Sequence, residues 1–126
     1  MFTNPRAFSG FAVDDSHTAC TFYTDTLGLT ASPIDEDTGL FEITTGEGTR
    51  ILVYPKPDHT PATFTILNVP VADIDSAVDE LTRRGVRFER YDGMDQDERG
   101  INRGGGPPIA WFKDPAGNVL SVIEQG

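Results

Sequence analysis

The sequence is poor in cysteine, in basic residues and in long apolar runs, and each shortage excludes a class of protein. A single cysteine, Cys20, rules out an internal disulfide and a cysteine-rich metal site. Only 10 basic residues stand against 20 acidic ones, and the net charge of −10 argues against nucleic acid or an anionic membrane surface as a partner. No window approaches the ~20 apolar residues of a membrane span, and Met-Phe-Thr-Asn-Pro-Arg at the N-terminus is unlike a signal peptide. We therefore expect a cytoplasmic protein.

Length and composition predict one compact domain. The chain has 126 residues, of which 37% are hydrophobic and 24% are charged, a balance typical of globular and not of disordered proteins. A chain of this size buries roughly two thirds of its unfolded surface, which is enough for a core without disulfides. We therefore expect residues 1–126 to form a single domain, with room for two small modules.

The first half of the chain shows one helix pattern among strand patterns. Apolar residues recur at helical spacing after Asp14 and Asp15, either of which can cap a helix, and Gly28 follows the end of this pattern. The turn Gly46-Glu47-Gly48 predicts a hairpin. The predicted elements are a strand at 7–13, a helix at 15–27, and strands near 29–34, at 39–44 and at 49–55.

The second half repeats this order after a segment with three prolines, residues 55–62, which we interpret as a linker. Asp73 is a suitable N-cap for a helix that ends at Gly85. The predicted elements are a strand at 63–71, this helix, a strand at 86–91, a long glycine-rich loop at 92–106 and a hairpin at 108–124.

An internal repeat underlies the common order of the two halves. The segment Val13-Asp14-Asp15 matches Val71-Ala72-Asp73 at an offset of 58 residues. In the hairpins the offset is 69 residues, and it aligns Ile43, Gly48, Ile51 and Val53 with Phe112, Gly117, Leu120 and Val122. The repeat predicts an α+β fold of two βαβββ modules, at about 7–55 and 63–124, whose curved mixed sheets surround a cavity with the helices outside.

Three segments resemble the vicinal oxygen chelate superfamily, the group of glyoxalases, bleomycin-resistance proteins and extradiol dioxygenases. They are the motif from Phe11 to Leu29, the helix start Val-Ala-Asp-Ile-Asp at 71–75, and Trp-Phe-Lys-Asp-Pro-Ala-Gly-Asn-Val-Leu at 111–120. The resemblance implies paired βαβββ modules and, for chains of this length, a homodimer. It leaves the chemistry open, because one fold hosts many activities.

The resemblance also implies where a metal would be held in the family's enzymes. Its ligands there are His, Gln and Glu, on the first and last strands of each module. The corresponding positions here are Phe8, Leu52, Ile66 and Ser121. Apolar side chains offer no lone pair and a neutral serine hydroxyl is a weak ligand, so we expect no metal and no other cofactor.

Strand alternation predicts which residues face the cavity, since side chains two apart point the same way. The result is a largely apolar, aromatic-rich surface typical of a small-molecule site. The alternative is that Phe8, Leu52 and Ile66 simply fill the core. The candidate ligand-binding residues are Phe8, Glu42, Arg50, Leu52, Tyr54, Phe64, Ile66, Asn68, Trp111 and Ser121.

Among these residues Glu42 is the one carboxylate, and it admits two interpretations. It can form a cross-strand ion pair with Arg50, or serve as a general base or hydrogen-bond acceptor for a ligand. We interpret His17 as a surface residue, His59 as a loop residue and Cys20 as a structural cysteine. The loop at 92–106 is either a lid or a flexible connection.

Three functions stay open at this point. The first is a metal-free protein that resembles the bleomycin-resistance branch and sequesters an aromatic, neutral or cationic ligand in a dimer cavity. The second is a metal-dependent lyase, isomerase or dioxygenase of the glyoxalase type. The third is a metal-free enzyme that uses Glu42 or a loop carboxylate. We expect a homodimer, because two open sheets would otherwise leave their edges bare.

Overall fold

The computed structural model of the protein describes residues 1–125, and the chain divides between His59 and Thr60 into two compact units. The first unit contains a four-stranded sheet and the second a three-stranded sheet. Each sheet is mixed and carries one α-helix, which confirms the predicted α+β class. No helix among residues 1–125 is both long and apolar enough to cross a membrane.

The first unit is ordered β1-β4-β3-β2 across its sheet. The strand β1 runs parallel to β4, and the other neighbours are antiparallel. The elements are β1 (Ser9–Val13), α1 (Ser16–Thr21), β2 (Thr30–Asp35), β3 (Leu40–Thr44) and β4 (Arg50–Pro55).

The helix of the first unit is shorter than the predicted 15–27. Asp15 caps α1, and its carboxylate accepts from the Thr18 backbone N–H at 3.0 Å. Residues Phe22–Thr26 then form a π-helical turn. The Thr24 hydroxyl donates to the Cys20 carbonyl at 2.8 Å, and such back-bonding competes with the regular helical ladder. The helical segment still buries Ala19 and Tyr23, as the apolar spacing predicts.

The second unit is ordered β5-β7-β6, with β5 parallel and β6 antiparallel to β7. Asp73 caps the helix as predicted, because its side chain accepts from the Asp75 and Ser76 backbone N–H groups at 3.0 and 3.3 Å. The elements are β5 (Thr65–Val71), α2 (Ile74–Arg83), β6 (Ile109–Lys113) and β7 (Val119–Glu124).

The strand registers reproduce the two sequence offsets. Phe11 pairs with Val53 in the first unit, and Val69 pairs with Val122 in the second. Ile43 likewise pairs with Ile51, and Phe112 with Leu120. The internal repeat is therefore a structural repeat in which both caps and both registers correspond.

The predicted strand at 86–91 is wrong. Only Phe88 forms a β-bridge, with Phe112, and the Glu89 N–H donates to the Trp111 carbonyl at 2.8 Å. The Gln96 side chain occupies the neighbouring backbone groups, since it donates to the Glu89 carbonyl at 2.9 Å and accepts from the Tyr91 N–H at 2.8 Å. A side chain thus binds the groups that a regular ladder would use.

Two other strand boundaries differ from the prediction. The strands predicted from 7 and from 63 begin at Ser9 and Thr65. Phe8 and Phe64 consequently precede their strands, and their side chains are 54% and 69% exposed. Alternation along a strand therefore does not determine the direction of either ring.

Candidate functional site

The first sheet buries one face and leaves the other more open. Phe41 and Ile43 on β3, and Ile51 and Val53 on β4, are at most 6% exposed and lie on the face that α1 covers. The intervening residues on the opposite face include Glu42, Leu52 and Tyr54. Alternation therefore places these three residues on one face, as predicted.

On this open face Arg50 is in contact with both Glu42 and Phe8. Its Nη1 lies 3.5 Å from Glu42 Oε2, and its guanidinium carbon lies 4.8 Å from the centre of the Phe8 ring. The cross-strand ion pair expected as one interpretation of Glu42 is present. The carboxylate already has a cationic neighbour, so the geometry favours a structural role for Glu42 over that of a general base.

A second polar group lies on the corresponding face of the second sheet. Asn68, Ser121 and Trp111 face one another across β5, β7 and β6 in a single row. The Ser121 hydroxyl is fully buried and donates to Asn68 Oδ1 at 2.6 Å. By the two offsets this row corresponds to Gly10, Leu52 and Glu42 in the first sheet.

The aromatic ring of Tyr91 lies next to the Trp111 ring, and sequence reasoning missed it. The ring centres are 5.6 Å apart at an angle of 81°, an edge-to-face pair. Burial, with a smaller contribution from the Glu89 charge, raises the pKa of Tyr91 above its ordinary value of 10.0. Tyr91 therefore keeps its proton at neutral pH. The signal available in the sequence was an aromatic residue directly before the long loop.

Two of the five site residues predicted in the second unit, Ile66 and Phe64, are not part of this row. Ile66 lies at a bulge in β5, because Thr65 pairs with Val119 whereas Leu67 pairs with Leu120. The extra residue shifts the register, so the offset that assigned Ile66 to the ligand face is broken there. Phe64 precedes the strand and contributes an exposed ring outside it.

The loop at 92–106 is fastened to α2 by ion pairs. Arg99 binds Asp75 and also Asp79, the latter at 2.8 Å, while Arg103 binds Asp75 at 2.6 Å and Asp97 at 3.7 Å. Burial acts to raise the pKa of Asp75, but hydrogen bonds from Arg103 and Arg99 outweigh it, and the pKa lies below 3.8. We call these five residues the clasp.

A separate open groove of about 540 Å³ lies in the first unit. It includes none of the ten predicted ligand residues. His17 is exposed and Cys20 half-buried, as expected for a surface and a structural residue. The lining residues are Ser16, His17, Cys20, Pro33, Asp35, Glu36, Asp37, Thr38, Gly39, Leu40 and Phe41.

The positions that the family resemblance assigns to a metal do not fit one. The side chains of Phe8, Leu52 and Ile66 have no metal-donor atom, and the Ser121 hydroxyl, a weak ligand when neutral, donates a hydrogen bond to Asn68 Oδ1. Within residues 1–125, no three His, Cys, Asp or Glu side chains are grouped so that they could hold a metal ion.

Solved structures share this fold. A superfamily member from Sphaerobacter thermophilus DSM 20745 is 24% identical, with 94% of this chain and 97% of that chain covered and a TM-score of 0.69. TnmS3, an antibiotic binding protein from Streptomyces sp. CB03234, is 21% identical, with coverages of 99% and 100% and a TM-score of 0.69. FosX, a fosfomycin resistance protein from Listeria monocytogenes, is 11% identical, with coverages of 100% and 96% and a TM-score of 0.71.

At these identities the structures establish the fold alone. A comparison with curated proteins found no match. The family model of the Glyoxalase/Bleomycin resistance protein/Dioxygenase superfamily matches residues 7–122, which include all ten candidate ligand residues. With both the repeated modules and this match, the chain belongs to the Glyoxalase/Bleomycin resistance protein/Dioxygenase superfamily.

Proposed function

We propose that this protein binds a small aromatic molecule without a metal, on the face of the second sheet that carries Trp111. The observation that carries the proposal is that the positions which the family resemblance assigns to metal donors hold Phe8, Leu52, Ile66 and Ser121. Aromatic rings with a few polar groups are the usual lining of a small-molecule site. The likeness to an antibiotic binding protein, TnmS3, is in keeping with this function.

The charge of the chain restricts the ligand further. A net charge of −10 gives the protein a negative field, which attracts cations and repels anions. Arg50 is already engaged by Glu42, so it offers little compensation to an anionic ligand. The proposed ligand is therefore a neutral or cationic aromatic compound.

We also propose a homodimer that completes the ligand sites. In the described sheets, β1 and β5 each have a neighbour on one side only. Soluble proteins avoid such bare edges, and a two-fold pair of identical chains is the commonest closed arrangement. A second copy would also cover exposed rings such as Phe8 and Tyr54.

Thermal unfolding with three matched naphthalenes tests the binding proposal. In EDTA, 2-naphthylmethylamine and 2-naphthalenemethanol should raise the melting temperature by several degrees at saturation, because they bind only the folded chain. The anion 2-naphthoate should have a smaller effect. Trp111→Ala should lose most of each shift relative to its own unliganded melting temperature, whereas the control Phe2→Ala should keep it. No shift with any of the three compounds would overturn the proposal.

A further inference from the structure

The side-chain amide of Asn68 is hydrogen-bonded through its oxygen to a buried partner. Ser121 is 0% exposed, and its hydroxyl donates to Asn68 Oδ1 at 2.6 Å. An amide that accepts through its oxygen directs its NH₂ group elsewhere. Among residues 1–125 this NH₂ group has no hydrogen-bond partner, and the Asn68 residue is exposed.

This free donor lies in the same row as the single tryptophan. Ser121 pairs with Asn68 on one side and with Trp111 on the other, so all three occupy one face of the second sheet. Neighbouring strands lie about 4.8 Å apart, so the outer two are within the span of a bicyclic aromatic compound. Trp111 is half-buried and its ring forms an edge-to-face pair with that of Tyr91.

We infer that Asn68 is a specificity residue, and that the preferred ligand is an aromatic compound with a neutral acceptor oxygen, such as a ketone, beside its ring. The inference rests on the proposed function and deepens it. The ring would stack or pack on Trp111 while the oxygen accepts from Asn68 Nδ2. Ser121 acts as a positioning residue, because in the observed arrangement its hydroxyl occupies the amide oxygen and leaves the NH₂ group for the ligand.

A pair of isosteric ligands tests this inference on the full chain. The ketone is 2-acetonaphthone. The hydrocarbon is 2-isopropenylnaphthalene, which has the same shape but a C=CH₂ group in place of the C=O group. Calorimetric titration should show that the native protein binds the ketone about three- to tenfold more tightly, the usual value of one neutral hydrogen bond. Asn68→Ala should remove this preference by weakening ketone binding and leaving the hydrocarbon unchanged.

Two further variants separate orientation from folding. Asn68→Asp keeps an acceptor for the Ser121 hydroxyl but has no NH₂ group, so it should fold and lose the ketone preference. Ser121→Ala should reduce the preference, since the amide is then free to turn. The ratio of the two affinities is the readout, because a merely structural role would lower both affinities together.

The possible outcomes distinguish a failure of the Asn68 inference from a failure of the proposed aromatic binding. Equal binding of both compounds to the native protein, or a ketone preference that survives in Asn68→Asp, would overturn the inference and leave aromatic binding intact. Binding of neither compound would overturn both.

Discussion

The turn between β6 and β7 depends on one buried carboxylate. Asp114 is 4% exposed, and its Oδ1 accepts from the backbone N–H groups of Ala116 and Asn118, each at 2.9 Å. Its Oδ2 accepts from the Asn118 side chain at 3.0 Å. The motif Asp-Pro-Ala-Gly-Asn thus folds into a turn whose polar groups satisfy one another within the core.

Replacing this carboxylate should destabilise the protein strongly. Asp114→Ala leaves buried N–H groups without partners and should lower the free energy of unfolding by about 2–3 kcal/mol. The repeat supplies a matched control in Thr45→Ala, because Thr45 is the equivalent position and makes only a long 3.3 Å bond to the Thr49 carbonyl. That control should cost less than about 0.5 kcal/mol. Urea denaturation measures both, and equal costs would contradict this role of Asp114.

At the scale of single residues, the sequence pattern identified Asp73 as a helix cap, limited the other cap to Asp14 or Asp15, and predicted the alternating faces of the strands. Local rules of helix capping account for Asp15 and Asp73. The two-residue period of a strand accounts for the buried residues of β3 and β4. Tyr91 was missed because its contact with Trp111 depends on how a loop folds back, which no local period encodes. The direction of the Ile66 side chain could not be predicted, because the bulge in β5 leaves no trace in an alternating pattern.

At the scale of elements, the clasp restrains the long loop by binding it to α2. Asp75 and Asp79 lie on one face of α2, one turn apart, and Arg99 reaches both. Asp97 also fixes the loop from within, since its carboxylate accepts from the Arg99 and Ile101 N–H groups at 2.9 Å. Sequence reasoning left the loop as either a lid or a flexible connection; the clasp ties residues 97–103 to the helix.

Removing Asp75 should loosen this loop while the sheet stays intact. Asp75→Asn loses the charge that binds Arg99 and Arg103, so amide hydrogen exchange over residues 97–103 should speed up severalfold. Glu80→Gln is the matched control, because Glu80 forms its ion pairs with Arg83 and Arg84, neither of which belongs to the clasp. Unchanged exchange in Asp75→Asn, or equal acceleration in both variants, would contradict the clasp.

The same ion pairs predict that the loop loosens at acid pH. The pKa values of Asp75 and Asp97 lie below 3.8; in each case burial acts to raise the value, and hydrogen bonds and arginine charges outweigh it. A carboxylate whose pKa is lower in the folded chain than in the unfolded chain stabilises the fold at pH values above its unfolded pKa. This stabilisation is lost as the pH falls through the folded pKa. Exchange over 97–103 should therefore be constant from pH 7 to about 5 and accelerate below about pH 4, after correction for intrinsic rates.

The predicted strand at 86–91 shows where element prediction failed. Its residues have strand propensity, and Phe88 does bridge to Phe112. The Gln96 side chain, five residues beyond Tyr91, nevertheless binds the backbone groups of Glu89 and Tyr91. Local strand propensity cannot predict that a side chain this far along the sequence will compete for the backbone hydrogen bonds of the strand.

At the scale of the whole molecule, most of the fold could be predicted from the internal repeat. Two offsets in the sequence reappear as two equivalent strand registers, so the topology that the two units share could be predicted from one chain. The fourth strand predicted for the second unit, at 86–91, does not form. The ligand could not be predicted in this way, because the same fold hosts many activities and the family's metal-binding positions hold non-ligating residues.

The homodimer is tested by mass in solution. Light scattering at micromolar concentration should give twice the chain mass of 13.7 kDa, because pairing covers edge strands that a single chain leaves open. A particle of 13.7 kDa that still binds the naphthalenes would contradict the dimer while leaving ligand binding in place.

The most direct test of metal-free aromatic binding uses the single tryptophan. Because Trp111 is the only one in the chain, its indole N–H gives one assigned signal in a ¹H–¹⁵N spectrum. Titration with 2-naphthalenemethanol in EDTA should move this signal saturably, and excess Zn²⁺ in place of EDTA should not alter the binding curve. A signal that stays fixed at saturating ligand, or that moves only when Zn²⁺ is present, would contradict the account.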